Sequence, residues 1–417
     1  MRMVLGCRDF RVLLAARLTS QVAEGAFLAA VFNAVVFLPE SQSTVRGFAV
    51  ATALTLLPFS LLEPVAGVFV DRWPRRAILV VLPLVRAAAA LLVLPALGAA
   101  ALIYAGTLIV FSANRIFQAT STAVIPRVVG AAEEDAPEPG LAPNDTLLFT
   151  ANTLASGTGT VALFGGMAVG GLIATAAGTW AVIALSGVMW VATSAVSALL
   201  SSALSPKKGA GALRGELAAV VVDLADGFRR ISRTPAALAP VLTVAAGQFL
   251  QVMVIATVLV VIKEDLGGGL VSFSALVAAG GVGVFLGFVT AGALRSLMPN
   301  RLLIGVAFVL ASLALLPAVV GVDALALALT VGAVLLGASF GWTRVPADTL
   351  AQSAVPDRYR GRVFTAIDLG FNTARVLGAL AAVAVVPLLG PRATIIVVAV
   401  LFLLWAPVVP LWLRGRH

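Results

Sequence analysis

The sequence predicts an all-α membrane protein with twelve transmembrane helices in two pseudo-symmetric six-helix bundles. Three observations predict it: too much apolar residue for a water-soluble fold, a regular series of long apolar runs, and basic residues sorted to one side of those runs. Of the 417 residues, 60% are hydrophobic and 11% are charged, whereas a soluble domain carries about 25% charged residues. A fold of this size cannot hide that much apolar surface from water, so most of its surroundings must be hydrocarbon. The single Cys7 excludes a disulfide framework and a thiolate metal site. His417 is the one histidine, so imidazole catalysis and histidine-rich metal binding are not expected. No metal or other cofactor is expected.

A spanning helix needs about 20 mainly apolar residues. Read between charged or turn-rich breaks, the chain offers runs at 12–38, 46–70, 77–97, 101–125, 147–177 and 179–203, then at 236–262, 271–294, 302–321, 323–346, 363–388 and 391–413. The first follows Arg8 and Arg11 and is expected to stay as an uncleaved span. Val4-Leu5-Gly6-Cys7 imitates a lipoprotein cleavage box but has no apolar run before it. The breaks at 178–179 and near Asp323 are the shallowest, and losing either would change the parity.

The distribution of positive charge tests the count. With an even number of spans and a cytoplasmic N-terminus, twenty of the 28 Lys/Arg face the cytoplasm, and Arg46, Lys263 and Arg392 fall on the other side. The net charge of +9 is then a topogenic signal and needs no nucleic acid. Both termini are expected in the cytoplasm of an inner-membrane, multi-pass protein. The longest break, 204–235, repeats Leu213, Leu217, Val220, Val221, Leu224 and Phe228 at helical spacing opposite Glu216, Asp223 and Arg230. This predicts an amphipathic surface helix. It divides the chain into a six-span bundle over 1–203, a linker over 204–235 and a second six-span bundle over 236–417.

The two bundles carry matching marks. At an offset of 225, Gly292, Pro299 and Arg301 repeat Gly67, Pro74 and Arg76 after the second span of each half. Arg115 precedes Pro126, and Arg344 precedes Pro356, at nearly equal spacing near the end of each fourth span. Phe149-Thr150-Ala151 returns as Phe364-Thr365-Ala366 at each fifth span. Their common order points to an internal duplication.

These residues resemble the major facilitator superfamily. Gly67, Asp71, Arg72, Arg75 and Arg76 are similar to its signature loop between the second and third spans, and the resemblance extends over essentially the whole chain. Within it, Arg17 to Glu24, Ala151 to Leu154 and Val355 to Phe364 resemble the macrolide-efflux and transmembrane secretion effector branch, where the positions of Ala23 and Glu24 are commonly Gly and Asp. The glycines of the fifth span (Gly157, Gly159, Gly165, Gly166, Gly170 and Gly171) resemble the antiporter motif, although Met167 stands where that motif carries proline. The same glycines also serve close helix approach.

The resemblance implies a cytoplasmic latch at Gly67, Asp71, Arg72 and Arg76, with Asp71 pairing across the half-interface. A merely topogenic basic loop accounts for the arginines but leaves Asp71 unexplained. It also implies that the first and fourth spans of each half line a central cavity. An ionisable group in the membrane interior costs several kcal/mol, so each is a functional candidate. Glu24 and Arg115 lie near mid-membrane at about 1.5 Å per residue, which makes Glu24 the candidate proton-binding carboxylate and Arg115 its partner. Burial and a neighbouring cation act on a carboxyl group in opposite senses, so their balance can tie protonation to transport. A permanent ion pair, or plain substrate contact, is the alternative.

Arg17, Gln21 and Glu24 form one helical stripe, and Asp368, Asn372 and Arg375 form another at the same spacing. Gln21, Arg344, Asn372 and Arg375 are candidates for contact with substrate. Asp348 and Asp368 are candidates for an inner gate, with Arg344 and Asp348 spaced as an intrahelical pair. Glu63 and Arg86, at similar depth on neighbouring spans, are expected to form a structural ion pair.

With the resemblance, the residues imply a monomeric secondary transporter that exports a drug-like or amphiphilic molecule against protons by alternating access. Importers, or carriers of lysolipids or siderophores, share the fold. A membrane transferase would need an acidic or histidine cluster at a membrane face. The acidic run here, Glu133, Glu134, Asp135 and Glu138, sits among prolines and reads as a solvated loop. No phosphate-cradling glycine loop ends in Lys-Ser/Thr, so ATP drive is not expected.

Overall fold

The structure is a computed structural model, described over residues 2–37, 44–94, 100–129, 143–201, 222, 225–229, 231–265, 269–316, 318, 325–353 and 360–412. Twelve long helices run through the described residues: α1 (Arg8–Phe32), α2 (Thr44–Arg72), α3 (Arg75–Val93), α4 (Ala100–Val128), α5 (Pro143–Ala177), α6 (Thr179–Ser197), α7 (Pro235–Val260), α8 (Leu270–Leu297), α9 (Asn300–Leu313), α10 (Leu325–Ser353), α11 (Arg360–Leu389) and α12 (Pro391–Trp405). Among the described residues, ten helices are long and apolar enough to cross a membrane; the apolar parts Thr44–Leu56 of α2 and Asn300–Leu313 of α9 are shorter. Leu388 is 81% exposed and Leu92 70%, side chains that lipid solvates and water would not.

Turn chemistry sets the helix ends. Pro74 and Pro299, the matched prolines, stand immediately before α3 and α9. Gly178 (φ 87°) separates α5 from α6, and Gly390 (φ 77°) separates α11 from α12. Only glycine adopts that left-handed backbone without steric cost. The shallow break at 178–179 is therefore a true helix boundary, and α9 and α10 are separate elements. Most of the 204–235 linker and the acidic run at 133–138 lie outside the described residues; Ala225 to Arg229 are helical.

Two compact units emerge. The first joins Met1–Val31 to Leu61–Val220, and the second joins Phe32–Ser60 to Val221–His417. The division read from sequence kept the first two spans whole in the first bundle. In the structure, the end of the first span and the start of the second pack instead with the second unit. The reason is aromatic: Phe32 contacts Phe273 (5.2 Å between ring centres) and Phe48 (5.9 Å), and Phe37 also meets Phe273 (6.1 Å). Both α1 and α7 end in a π-helical turn, Asn33–Phe37 and Val261–Asp265. Such turns displace the regular hydrogen-bond ladder, and Lys263 Nζ donates to the Val36 carbonyl at 3.0 Å.

Within each unit the helix pairing repeats. In the first, α3 packs on α4 and α6; in the second, α9 packs on α10 and α12. One serine hydroxyl crosses each outer pair, Ser194 Oγ to the Val80 carbonyl (2.8 Å) and Ser312 Oγ to the Ala399 carbonyl (2.9 Å). Glycines close the fifth-span contacts. A Cβ on Gly166 would strike the backbone of Val22 on α1, and one on Gly378 of α11 would strike the backbone of Phe249 on α7.

Candidate functional site

In the first unit, polar side chains from α1, α3 and α4 converge on Glu24. Glu24 is 5% exposed; Asn114 Nδ2 donates to Oε1 at 2.8 Å, and Arg86 Nη2 lies 3.7 Å from Oε2. Oε2 accepts no hydrogen bond from the protein. Arg86 is fully buried; its Nη1 donates to Ser20 Oγ at 2.7 Å, and its guanidinium lies 4.3 Å from the centre of the Trp190 ring on α6. Trp190 in turn packs on Phe27, and Phe27 on Phe111. The charges therefore sit in an aromatic shell inside an apolar bundle.

Helix packing places the carboxyl. Gly166 and Gly170 of α5 lie against Val22 and Ala26 of α1, and Gly25 faces Leu163 and Met167. The α1 turn bearing Glu24 is pressed onto α5, which sends the side chain toward α3 and α4. Close approach therefore accounts for Gly166 and Gly170. Arg17, a further turn away, donates from Nη1 to Ser121 Oγ and Thr122 Oγ1 on α4, both at 3.3 Å. Gln21 Oε1 is buried without a hydrogen-bond partner, and the buried Gln118 amide stands next to the Glu24 carboxyl without closing a hydrogen bond of ordinary length to it. Hydrogen-bonding groups left unmet in a buried setting cost roughly 1–3 kcal/mol each, so this cluster favours polar contents.

The sequence expectations are partly redistributed here. Arg86 is a cation beside Glu24; Arg115 follows Asn114 on α4 and is half-buried. Arg86 was expected to pair with Glu63. It meets Glu24, Ser20 and Trp190; the Glu63 side chain lies outside the described residues. Asn114, Ser20 and Trp190 join the site only through the fold. Polar residues in mid-span are the available signal: Ser20 lies one turn from Glu24, and Asn114 adjoins Arg115.

In the second unit, Arg344 of α10 joins two carboxylates. Its Nε donates to Asp348 Oδ2 at 2.7 Å and its Nη2 to Asp368 Oδ1 of α11 at 2.6 Å. The expected intrahelical pair is thus part of a three-residue bridge. Phe371 has the Arg344 guanidinium 5.1 Å and the Arg375 guanidinium 5.7 Å from its ring centre. Asn372 is buried on the same helix.

At the signature loop, the side chains of Gly67, Asp71 and Arg72 lie outside the described residues. Arg76 Nη2 donates to the Ala198 carbonyl at 2.6 Å, at the C-terminal cap of α6, and Arg75 Nη1 donates to the Ala123 carbonyl at 3.3 Å. A cation there meets unsatisfied carbonyls and the negative end of the helix dipole. Arg76 thus staples its own unit.

The duplicated helix pairing and the buried charges define a multi-pass membrane transporter, and the chain belongs to the Major Facilitator Superfamily, whose family model matches residues 17–367 and 241–417. Among its relatives are uncharacterized MFS-type transporters of Mycobacterium bovis and Mycobacterium tuberculosis. Each is 28% identical over 403 residues, covering 93% of this chain and 87% of the relative. The fold is similar to that of the nucleoside transporter NupG (TM-score 0.71, 12% identity, 98% of this chain and 100% of that one). It is also similar to a POT family transporter in complex with 5-aminolevulinic acid (TM-score 0.73, 10% identity, 97% and 96%) and to the human organic anion transporter MFSD10 (TM-score 0.66, 15% identity, 96% and 99%).

Proposed function

We propose that this chain is a proton-coupled exporter of a drug-like or amphiphilic small molecule, working by alternating access as a monomer in the inner membrane with both termini cytoplasmic. Glu24 is the proton-binding group, and the macrolide-efflux type is the branch its first, fifth and eleventh spans resemble. One observation carries the reading. The Glu24 carboxyl is buried in the bundle with Oε1 anchored by Asn114 and Oε2 without a hydrogen bond, 3.7 Å from Arg86. A carboxylate held this way has one oxygen free of direct hydrogen bonds, and its protonation is opposed chiefly by the Arg86 charge. Arg86 stabilises the ionised form, and movement of α1 against α3 or α4 would change that support. In this reading Asp348 and Asp368 act with Arg344 at an inner gate, and Gly67, Asp71, Arg72 and Arg76 form the latch. Gln21 and Asn372 are polar contacts for substrate.

The test is a substrate panel in proteoliposomes carrying an internal pH dye, with Glu24→Gln beside wild type. The expected result is substrate-dependent proton movement in wild type that Glu24→Gln abolishes, while substrate exchange without a gradient continues. Full proton-coupled transport by Glu24→Gln would remove the assignment. Proton and substrate moving in the same direction would make the chain an importer.

A further inference from the structure

The second unit carries charges that the bridge around Arg344 leaves unbalanced. That guanidinium serves two carboxylates, so the trio of Arg344, Asp348 and Asp368 holds one cation against two anions. Each carboxylate uses one oxygen on Arg344, at 2.7 and 2.6 Å, and their side chains are 25% and 32% exposed. Among the described residues the trio therefore keeps a net negative charge and accessible acceptors.

Arg375 is the complement. Among the described residues it makes no ion pair, and its Nε is buried without a hydrogen-bond partner. The ring of Phe371, 5.7 Å away, offers a cation–π contact but no counter-charge. An unpaired cation in a membrane-embedded bundle costs several kcal/mol and is rarely kept without use. Asp368 and Arg375 lie seven residues apart on one face of α11, about 10 Å along the axis. Between them stands Phe371, itself against Phe340 of α10 (6.0 Å).

We infer that this face of α10 and α11 is a binding site for an extended zwitterion, with its cationic end at Asp348 and Asp368, its anionic end at Arg375 and its apolar middle on Phe371. This deepens the transporter reading by naming a substrate class, and it rests on that reading only for the claim that the ligand is carried. A cation alone would leave Arg375 unmet, and an anion alone would leave the carboxylates unmet. A compact zwitterion, such as a phospholipid headgroup, matches the axial spacing of Asp368 and Arg375 less well.

The test is equilibrium binding to the full-length protein in nanodiscs, with 8-aminooctanoate, octylamine, octanoate and the short zwitterion 4-aminobutanoate as probes. Wild type should bind 8-aminooctanoate about tenfold or more tightly than each of the others, as one recovered charge contact of roughly 1.4 kcal/mol provides. Arg375→Gln should bring 8-aminooctanoate down to the level of octylamine, Arg375→Lys should retain most of the preference, and Asp348→Asn with Asp368→Asn should bring it down to octanoate. Equal binding of all four probes by wild type overturns the site, and so does an undiminished preference in Arg375→Gln. The wild-type comparison decides the matter even if a variant does not fold. Because no proton gradient is involved, its outcome is independent of the role given to Glu24.

Discussion

Asn114 and Glu24 are joined by a 2.8 Å hydrogen bond from Nδ2 to Oε1, and this bond fixes which carboxyl oxygen faces Arg86. A hydrogen bond to a charged group contributes about 1.5–3 kcal/mol, so Asn114→Ala should lower substrate-driven proton flux about 10- to 100-fold. Asn114→Ser, which keeps a donor, should lose less. Stopped-flow pH measurements in proteoliposomes give both values. Equal loss in the two variants would show that packing, not the hydrogen bond, is what Asn114 provides.

Breaking a buried ion pair from one side leaves a lone charge and costs about 3–5 kcal/mol. Arg86→Gln should therefore lower the thermal stability of the detergent-solubilised protein markedly. Glu24→Gln combined with Arg86→Gln should recover much of the loss, because no net charge stays buried. A double-mutant cycle on melting temperatures reads the coupling directly.

Gly165 and Gly166 are neighbours with opposite surroundings. A Cβ on Gly165 meets nothing within 4 Å, whereas one on Gly166 meets the backbone of Val22. Gly165→Ala should leave stability unchanged. Gly166→Ala should cost about 1–3 kcal/mol by forcing α1 from α5, and it should also disturb proton flux by moving Glu24. Thermal melts and yield of monodisperse protein separate the two.

The left-handed glycines offer a test of the duplication. Gly178→Ala and Gly390→Ala each place a Cβ on a positive-φ backbone, at about 1–2 kcal/mol. The two should lower the melting temperature by similar amounts, and the losses should add in the double variant, since the sites lie in separate units.

Arg76→Ala should cost about 1 kcal/mol of stability by uncapping α6, whatever happens to transport. Arg76→Lys should retain part of it. If transport falls while the melt is unchanged, Arg76 acts in the latch rather than as a cap.

The helices were legible because lipid demands long apolar runs, and their ends because proline and glycine punctuate them: Pro74, Pro299, Gly178 and Gly390 all stand at boundaries. The importance of Glu24 was legible because a charge in an apolar span is conspicuous. Its partner was not. Depth along a helix can be counted from sequence, but azimuth about the bundle cannot, and Arg86 and Arg115 are both arginines deep within their spans. Depth alone points from Arg86 to Glu63 on the adjacent helix; packing of α3 on α4 and α6 also brings Arg86 to Glu24 on α1. The packing of Phe32–Ser60 with the second unit was hidden for a similar reason, since contacts among Phe32, Phe37 and Phe273 join residues remote in sequence.

Trp190 is wholly buried, and its indole lies 4.3 Å from the guanidinium that faces Glu24. Indole emission is sensitive to a charge at that range. Subtracting the spectrum of a Trp190→Phe variant from that of the native protein would therefore isolate an optical signal from the heart of the first unit. The transporter thus contains its own dye, one that reports in real time, with no label attached, on any change of charge beside Arg86.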